Sequence, residues 1–352
     1  MAQLCLLHGM LLLSSLVCQD IANIWAGAEI LELRNTSTDS FVSPDTPPVL
    51  CGRRPEMRKP INASDVDDGL EKIIGGRLAR HGQYPWTVNI RARTVNNGVV
   101  TYGQVCGGAI INEYWVLTAA HCKRVGNETS LSIVVGDFDR QIKDEGEQKF
   151  LVDKFIPHQR YTGKGVVDYN IALIKVANTS DGRGIRFNDY VQPICLPNPG
   201  QKCLLDDFLV VTGWGAECAT HKTRSIRHLK SVHLRCKTKK FCRRNIYSRL
   251  QITDRMFCAG AKYSEQDVCD GDLGGPGALR RANLFILIGV MSHGTLCQKR
   301  NFPVIFSSVS AYLPWIEKTI ANYSNFGEGT IPGRRVKLTE ATLSTTNETL
   351  LE

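Results

Sequence analysis

From Tyr84 onward the apolar residues of this chain come in short runs, and that pattern limits the fold more than any other feature of the sequence. Trp115-Val116-Leu117, Ile133-Val134-Val135, Ile171 to Val176, Phe208 to Thr212 and Leu284 to Met291 are rich in β-branched residues and separated by turns of Gly, Asn and Asp. Runs of that length and composition predict antiparallel strands packed as a sandwich or barrel, an all-β fold. One stretch departs from the pattern. Pro314-Trp315-Ile316 opens a segment to about Asn322 with proline at a first-turn position and apolar residues at Trp315, Ile316 and Ile320, which predicts a helix near the end of the domain.

The flanks read differently. Leu4 to Val17 is an apolar run too short to span a bilayer and placed where a secretory signal sits, with cleavage expected near Cys18, so residues 1–18 read as a signal peptide. No later run reaches the roughly 18 apolar residues of a transmembrane helix. Residues 19–72 are polar and proline-containing, as in Ser43-Pro44-Asp45-Thr46-Pro47-Pro48, and read as an extended pro-segment. Residues 321–352, rich in Thr, Ser and Gly from Gly327 on, are expected to form a disordered tail. Thirteen cysteines behind a signal, with no CxxC pair or Cys/His cluster, imply disulfides and an oxidising compartment. Six sequons, at Asn35, Asn62, Asn127, Asn178, Asn322 and Asn347, fit a secreted, extracellular glycoprotein.

Five motifs then give the all-β region an identity. Ile73-Ile74-Gly75-Gly76, Thr118-Ala119-Ala120-His121-Cys122, Gly213-Trp214-Gly215, Met256-Phe257-Cys258-Ala259-Gly260 and Gly271-Asp272-Leu273-Gly274-Gly275-Pro276 follow one another in an order and spacing that resembles the trypsin-like serine proteases of the chymotrypsin family. The resemblance covers residues 73–320 and implies two packed six-stranded antiparallel barrels with a C-terminal helix.

The family's chemistry needs a hydroxyl nucleophile, an imidazole that takes its proton, a carboxylate that fixes the imidazole tautomer, and backbone N–H groups facing the oxyanion. By resemblance these positions are 273, His121, 170 and the backbone around Gly271. Leu273 stands where the nucleophile belongs and Asn170 where the carboxylate does, so no functional catalytic residue set is expected. Asp168, two residues before Asn170, is too far along the strand to substitute. Loss of the acid alone costs such enzymes about 10⁴ in turnover, and loss of the serine about 10⁶.

In the implied specificity pocket Asp267 sits where relatives pair with Lys or Arg, and Ser292 and Gly294 occupy the pocket edge. Val304, however, replaces a glycine of open basic pockets, and His293 a tryptophan, so Asp267 reads as a relic. The activation switch is retained: Lys72 precedes the implied cleavage site at Ile73, and Asp272 is the implied partner of the new amino terminus. It reads either as a working conformational switch or as an inheritance without use.

The resemblance also implies the pairs Cys51–Cys195, Cys106–Cys122, Cys242–Cys258 and Cys269–Cys297, while Leu209 and Leu279 occupy both positions of a further family disulfide. Of Cys203, Cys218 and Cys236, the preferred pair is Cys218 with Cys236, leaving Cys203 free or intermolecular.

Two surface features lie outside this frame. Lys222, Arg224, Arg227, Lys230, Arg235, Lys237, Lys239, Lys240, Arg243, Arg244 and Arg249 contain no acid between them in a chain of net charge +9, which reads either as a site for sulfated glycans or lipopolysaccharide or as a solvated face. Nucleic acid is a poor first choice in an extracellular setting. Asp137, Asp139, Asp144 and Glu147 resemble in placement the calcium loop of some relatives, the one metal expected of a chain that otherwise needs no cofactor. The sequence therefore points to a secreted, non-catalytic homologue that binds a protease or a protease substrate in an extracellular cascade or in innate defence. The alternatives are a polyanion-binding or antimicrobial protein that needs no partner protease, and an active trypsin-like enzyme, which Leu273, Asn170 and Val304 together oppose.

Overall fold

In a computed structural model, the structure describes residues 51–55, 77–125, 128–163, 167–205, 207–215, 217–219, 222–224, 226–245, 252–261, 272–294, 303–324 and 329–332. The first barrel is made of β2 (Thr87–Asn96), β3 (Val99–Ile110), β4 (Trp115–Thr118), β5 (Leu131–Val135), β6 (Gln148–Pro157) and β7 (Ala172–Val176), closed in the order β2-β3-β4-β7-β6-β5. The second is made of β8 (Phe208–Gly213), β11 (Lys230–Cys236), β12 (Met256–Ala261), β13 (Pro276–Arg281), β14 (Leu284–His293) and β15 (Val304–Ser308). Because β8 pairs with both β11 and β13, these six strands also close on themselves, and β1 (Arg77–Leu78) adds alongside β11. The fold is thus two six-stranded antiparallel barrels, as the resemblance implies. A small ribbon, β9 (Glu217–Ala219) with β10 (Lys222–Arg224), and helix α1 (Lys239–Asn245) decorate the second barrel, and α2 (Leu313–Tyr323) closes the domain.

Each apolar run becomes a strand because a barrel wall buries it. Every residue of β4, β5, β7 and β15 is buried. Trp86, Trp115 and Trp214 are among the largest fully buried side chains, and α2 adds Leu313, Ile316 and Ile320 to the same core. Truncating one such residue, as in Ile316→Ala, costs about 2–5 kcal/mol through lost contacts and the cavity left behind. The β2–β3 hairpin turns on Asn97 and Gly98, with φ of 50° and 80°, the left-handed pair that a two-residue hairpin turn requires.

The cleft forms where the two barrels touch backbone to backbone. Gly107 N–H donates to Leu273 O at 2.8 Å, and a Cβ on Gly107 would lie 2.8 Å from Gly275 Cα. Gly274 has φ +84°, and a Cβ there would sit 2.5 Å from Thr118 Oγ1. Glycine is required at this junction on both counts, and it seats residue 273 against the first barrel.

Two expectations change. Cys236 is bonded to Cys203, with Cα atoms 6.1 Å apart, and not to Cys218. Cys236 ends β11, where its N–H donates to Asp207 O at 2.9 Å, so the loop that leads into β8 brings Cys203 against it. Cys218 lies on the separate β9–β10 ribbon. This bond ties the start of β8 to the end of β11, next to the place where Leu209 and Leu279 pair directly across β8 and β13 as core residues. The other correction concerns the tail. Helix α2 continues to Tyr323, Ile331 is buried, and Asn112 Nδ2 donates to Thr330 O at 2.9 Å, so residues 329–332 pack back onto the barrel instead of belonging to a disordered tail from 321.

Cys51–Cys195, Cys106–Cys122 and Cys242–Cys258 are bonded. Around the first, Gly52 N–H donates to Pro193 O at 2.8 Å, Phe285 N–H donates to Gly52 O at 3.0 Å, and the Arg54 guanidinium lies 4.0 Å from the Phe285 ring centroid. The segment around Cys51 is therefore docked on the second barrel by backbone pairing as well as by sulfur. Cys269, Cys297, the expected signal peptide and the rest of the expected pro-segment lie outside the described residues.

Candidate functional site

His121 sits in a 3-10 turn, Ala120–Val125, directly after β4, and Asn170 immediately precedes the residue that leads into β7. Because β4 and β7 pair antiparallel, Thr118 opposite Ala172, the two side chains are delivered to the same end of the barrel. Asn170 Oδ1 accepts His121 N–H at 2.9 Å, and Asn170 Nδ2 donates to Ser292 O at 3.0 Å. These two partners fix which end of the amide is which, since a backbone N–H can only donate and a carbonyl can only accept. Ser292 Oγ lies 3.0 Å from the same Nδ2, so the pocket-edge serine also holds the amide.

The consequence falls on the imidazole. Asn170 Nδ2 is 2.9 Å from His121 Nδ1, closer than Oδ1 at 3.2 Å, so the amide is placed to donate to that ring nitrogen. An amide that donates to Nδ1 holds the ring proton on Nε2, the nitrogen that would have to accept the nucleophile's proton. Burial pushes the His121 pKa below its usual 6.5, assisted by the charges of His293 and Arg124 and opposed where Asn170 Oδ1 accepts from the protonated ring. Burial thus favours the neutral ring.

Long-range nitrogen–proton correlation spectra should therefore show His121 as the Nε2–H tautomer with a pKa below 6.5. Asn170→Asp should move the proton to Nδ1 and raise the pKa. A Nδ1–H tautomer in the unaltered protein contradicts this geometry. Burial lowers the pKa of His158, His233 and His293 as well. A histidine whose folded pKa is depressed contributes stability above its unfolded value, and the contribution shrinks as the unfolded chain takes up protons that the folded chain refuses. Thermal stability should accordingly fall as pH drops below about 6.5, the unfolded histidine value.

Leu273, at the position the resemblance assigns to the nucleophile, packs against the second-barrel core cluster that holds Met291, Val304 and Phe306. Asp168 is committed elsewhere: Arg255 forms a salt bridge to it, Tyr169 N–H donates to its Oδ1 at 2.9 Å, and Tyr312 OH lies 3.4 Å away. Burial opposes its ionisation, but the Arg255 and Tyr169 hydrogen bonds outweigh that and hold its pKa below the usual carboxylate range.

At the implied specificity edge, Gly294 directly follows β14 and Val304 begins β15. A methyl-sized atom placed on Gly294 would touch Val304 Cγ2 at 3.9 Å. The glycine Cα and the valine methyl are then no more than about 5.5 Å apart, whereas a chain threaded between two walls at van der Waals distance needs about 7 Å. Asp267, Gly271, Lys72 and Ile73 lie outside the described residues; Asp272 is buried and accepts Gly215 N–H at 2.7 Å.

The acidic loop is only partly the cluster expected. Asp137, Asp144 and Glu147 bring carboxylate oxygens within 4.8 Å of one another. Asp139 turns away to a two-point contact with Arg227, which holds its pKa down to about 2. Asp137 is already neutralised by the Arg91 guanidinium and hydrogen-bonded by Asn89 Nδ2 at 2.8 Å, and Asp144 Oδ2 accepts the N–H groups of Phe138 and Asp139 at 2.6 and 2.7 Å. With an arginine supplying the positive charge, a chelator should leave the melting temperature unchanged to within about 1 °C, since a cation that does not bind adds nothing to stability. A larger drop, restored by Ca²⁺, contradicts this.

The basic stretch is likewise divided. Lys222 and Arg224 lie on β10, Lys230 and Arg235 on β11, Lys239, Lys240, Arg243 and Arg244 on α1. Arg227 is paired with Asp139, Lys239 with Asp254, and Arg243 donates to Ile252 O at 3.1 Å. Acids distant in sequence thus answer charges that look unopposed along the chain. Asn178 and Asn322 are exposed; Asn35, Asn62, Asn127, Asn347 and Arg249 lie outside the described residues. Sequence reasoning missed Arg91 and Arg255, whose partners lie 46 and 87 residues away with no local pattern to announce them.

Comparison with known proteins gives this site its context. The family model described as Trypsin matches residues 73–316. The chain is 32% identical over 255 residues to urokinase-type plasminogen activator of Gallus gallus, covering 71% of this chain and 57% of that protein. It is 33% identical over 250 residues to coagulation factor XI of Bos taurus, covering 70% of this chain and 38% of that protein. The chain thus spans less than two thirds of either relative.

Proposed function

The chain belongs to the trypsin-like serine protease family, and on that premise we propose that it is a member that binds and does not cut. Trypsin-like serine proteases need no cofactor, calcium being optional. The observation that carries the reading is the amide of Asn170, locked between His121 N–H and the Ser292 carbonyl so that it donates to His121 Nδ1. Leu273 at the nucleophile position and Val304 in the pocket act in the same direction. Loss of acid, nucleophile and pocket leaves a family scaffold whose remaining asset is its surface.

On this reading the chain is secreted, with a signal peptide at 1–18, a pro-segment at 19–72 and the protease-like domain from 73. Among the described residues no helix is long and apolar enough to cross a membrane. Cleavage after Lys72 would leave the pro-segment attached through Cys51–Cys195, and Asp272 would receive the new amino terminus. The partner is an active serine protease or the substrate of one, in keeping with relatives named for plasminogen activation and coagulation.

The test passes native extracellular fluid over the immobilised, Lys72-cleaved protein and treats the retained fraction with a fluorophosphonate probe. A retained, probe-reactive protein that binds reversibly to the purified chain supports a partner protease. Absence of any retained serine protease or protease substrate overturns the regulatory reading.

A further inference from the structure

We propose that the end of the second barrel built from the loop before β8 and the β13–β14 hairpin is a contact surface for anionic phospholipid bilayers. Leu204 and Leu205 are 62% and 61% exposed, Phe208 is 40% exposed, and Leu284, at the start of β14, is 38% exposed. These side chains surround one fixed point. Asp207 receives Arg281 at 2.7 Å, its Oδ2 accepts Leu204 N–H at 2.8 Å, its own N–H donates to Leu204 O at 3.1 Å, and its carbonyl accepts Cys236 N–H at 2.9 Å. Arg281 stands opposite Leu284 in the hairpin register. The Cys203–Cys236 bond then clamps the loop from its other side.

This loop is therefore held in place with two adjacent leucines in water. Scattered exposed leucines are ordinary, but a cluster presented by a disulfide and four hydrogen bonds marks a contact site. Its surroundings are cationic. Lys202 and Arg280 are exposed, Arg281 is paired with Asp207, and the half-buried Arg235 guanidinium lies 5.1 Å from the Phe208 ring centroid. Asp206 lies outside the described residues.

The composition selects the occupant. A sulfated glycan offers charge but no apolar phase for Leu204 and Leu205. Protein interfaces draw their energy from Trp, Tyr and Arg anchors, with leucine under-represented among them. Leucines that enter the acyl boundary beneath a ring of Lys and Arg that meets phosphate headgroups is the arrangement of interfacial membrane contacts. The contact is peripheral, and it is independent of the catalytic reading, since none of these residues belongs to the degenerate site.

The full-length protein is mixed with unilamellar vesicles of phosphatidylcholine alone or with about 30 mol % phosphatidylserine, at about 0.1 M salt, and bound protein is separated by flotation. Binding is expected to the anionic vesicles only and to fall steeply at about 1 M salt, where the screening length shrinks to about 3 Å. The L204S/L205S variant should bind at least about tenfold less while its melting temperature and its elution from immobilised heparin stay unchanged. K202Q/R280Q should weaken vesicle binding and leave the leucines in place. Equal binding to neutral vesicles, no binding to either, or undiminished binding of L204S/L205S overturns the proposal. So does a wild-type dimer that L204S/L205S dissolves without vesicle binding, because the occupant is then a second copy of the chain.

Discussion

Restoring the hydroxyl alone, Leu273→Ser, is expected to leave the Lys72-cleaved protein within background on activated ester substrates. The nucleophile is then present, but Asn170 still holds the His121 proton on Nε2, and a base already protonated at the working nitrogen cannot take the serine's proton. Adding Asn170→Asp should raise turnover of a small ester by about 10³–10⁴, the range by which a wrong tautomer depresses catalysis in an intact triad geometry. Part of the geometry for that gain exists, since His121 N–H already donates to the side-chain oxygen of residue 170. Lysine and arginine substrates should still be refused until Val304→Gly reopens the slot beside Gly294. The three changes act as a unit, so single substitutions will understate each residue's part. If Leu273→Ser by itself comes within about tenfold of the triple variant, the Asn170 argument fails, whatever the absolute rates.

Removing the Cys203–Cys236 bond, as C203S/C236S, should lower stability by about 3–4 kcal/mol, the loop-closure entropy returned to the unfolded chain for a loop of this order. The cysteines are 33 residues apart and tie the entry of β8 to the exit of β11, two strands that pair along the whole of β8. For a domain of this size the melting temperature should fall by about 6–16 °C. Mass mapping of the unreduced protein should recover a Cys203–Cys236 peptide; a Cys218–Cys236 peptide contradicts the assignment.

The strands that announced themselves in the sequence are those buried on both faces. Ile171 to Val176 and Ile133 to Val135 read as continuous apolar runs because every residue of β7 and β5 is covered. β6 escaped that reading: only Phe150, Val152 and Phe155 point inward, so its apolar residues are scattered among exposed charges. The outer half of the β2–β3 hairpin escaped as well, since Val99 to Gly103 is exposed and offers no buried run. At the site, the identities of residues 121, 170, 273 and 304 were legible from motif spacing. Their consequences were not, because the direction of the Asn170 amide depends on Ser292, which is 122 residues away. The same distance problem hid Asp139 under Arg227 and Asp168 under Arg255, and it left three cysteines with no local rule for choosing partners.

The most direct measurement of the catalytic reading is active-site labelling of the recombinant protein after cleavage at Lys72, with a fluorophosphonate probe and an arginine ester assayed side by side. Neither stoichiometric labelling nor ester cleavage above the rate of the His121→Ala variant is expected. Saturable labelling that is lost in His121→Ala, accompanied by ester turnover, would show a working nucleophile and contradict the claim that this site binds without cutting.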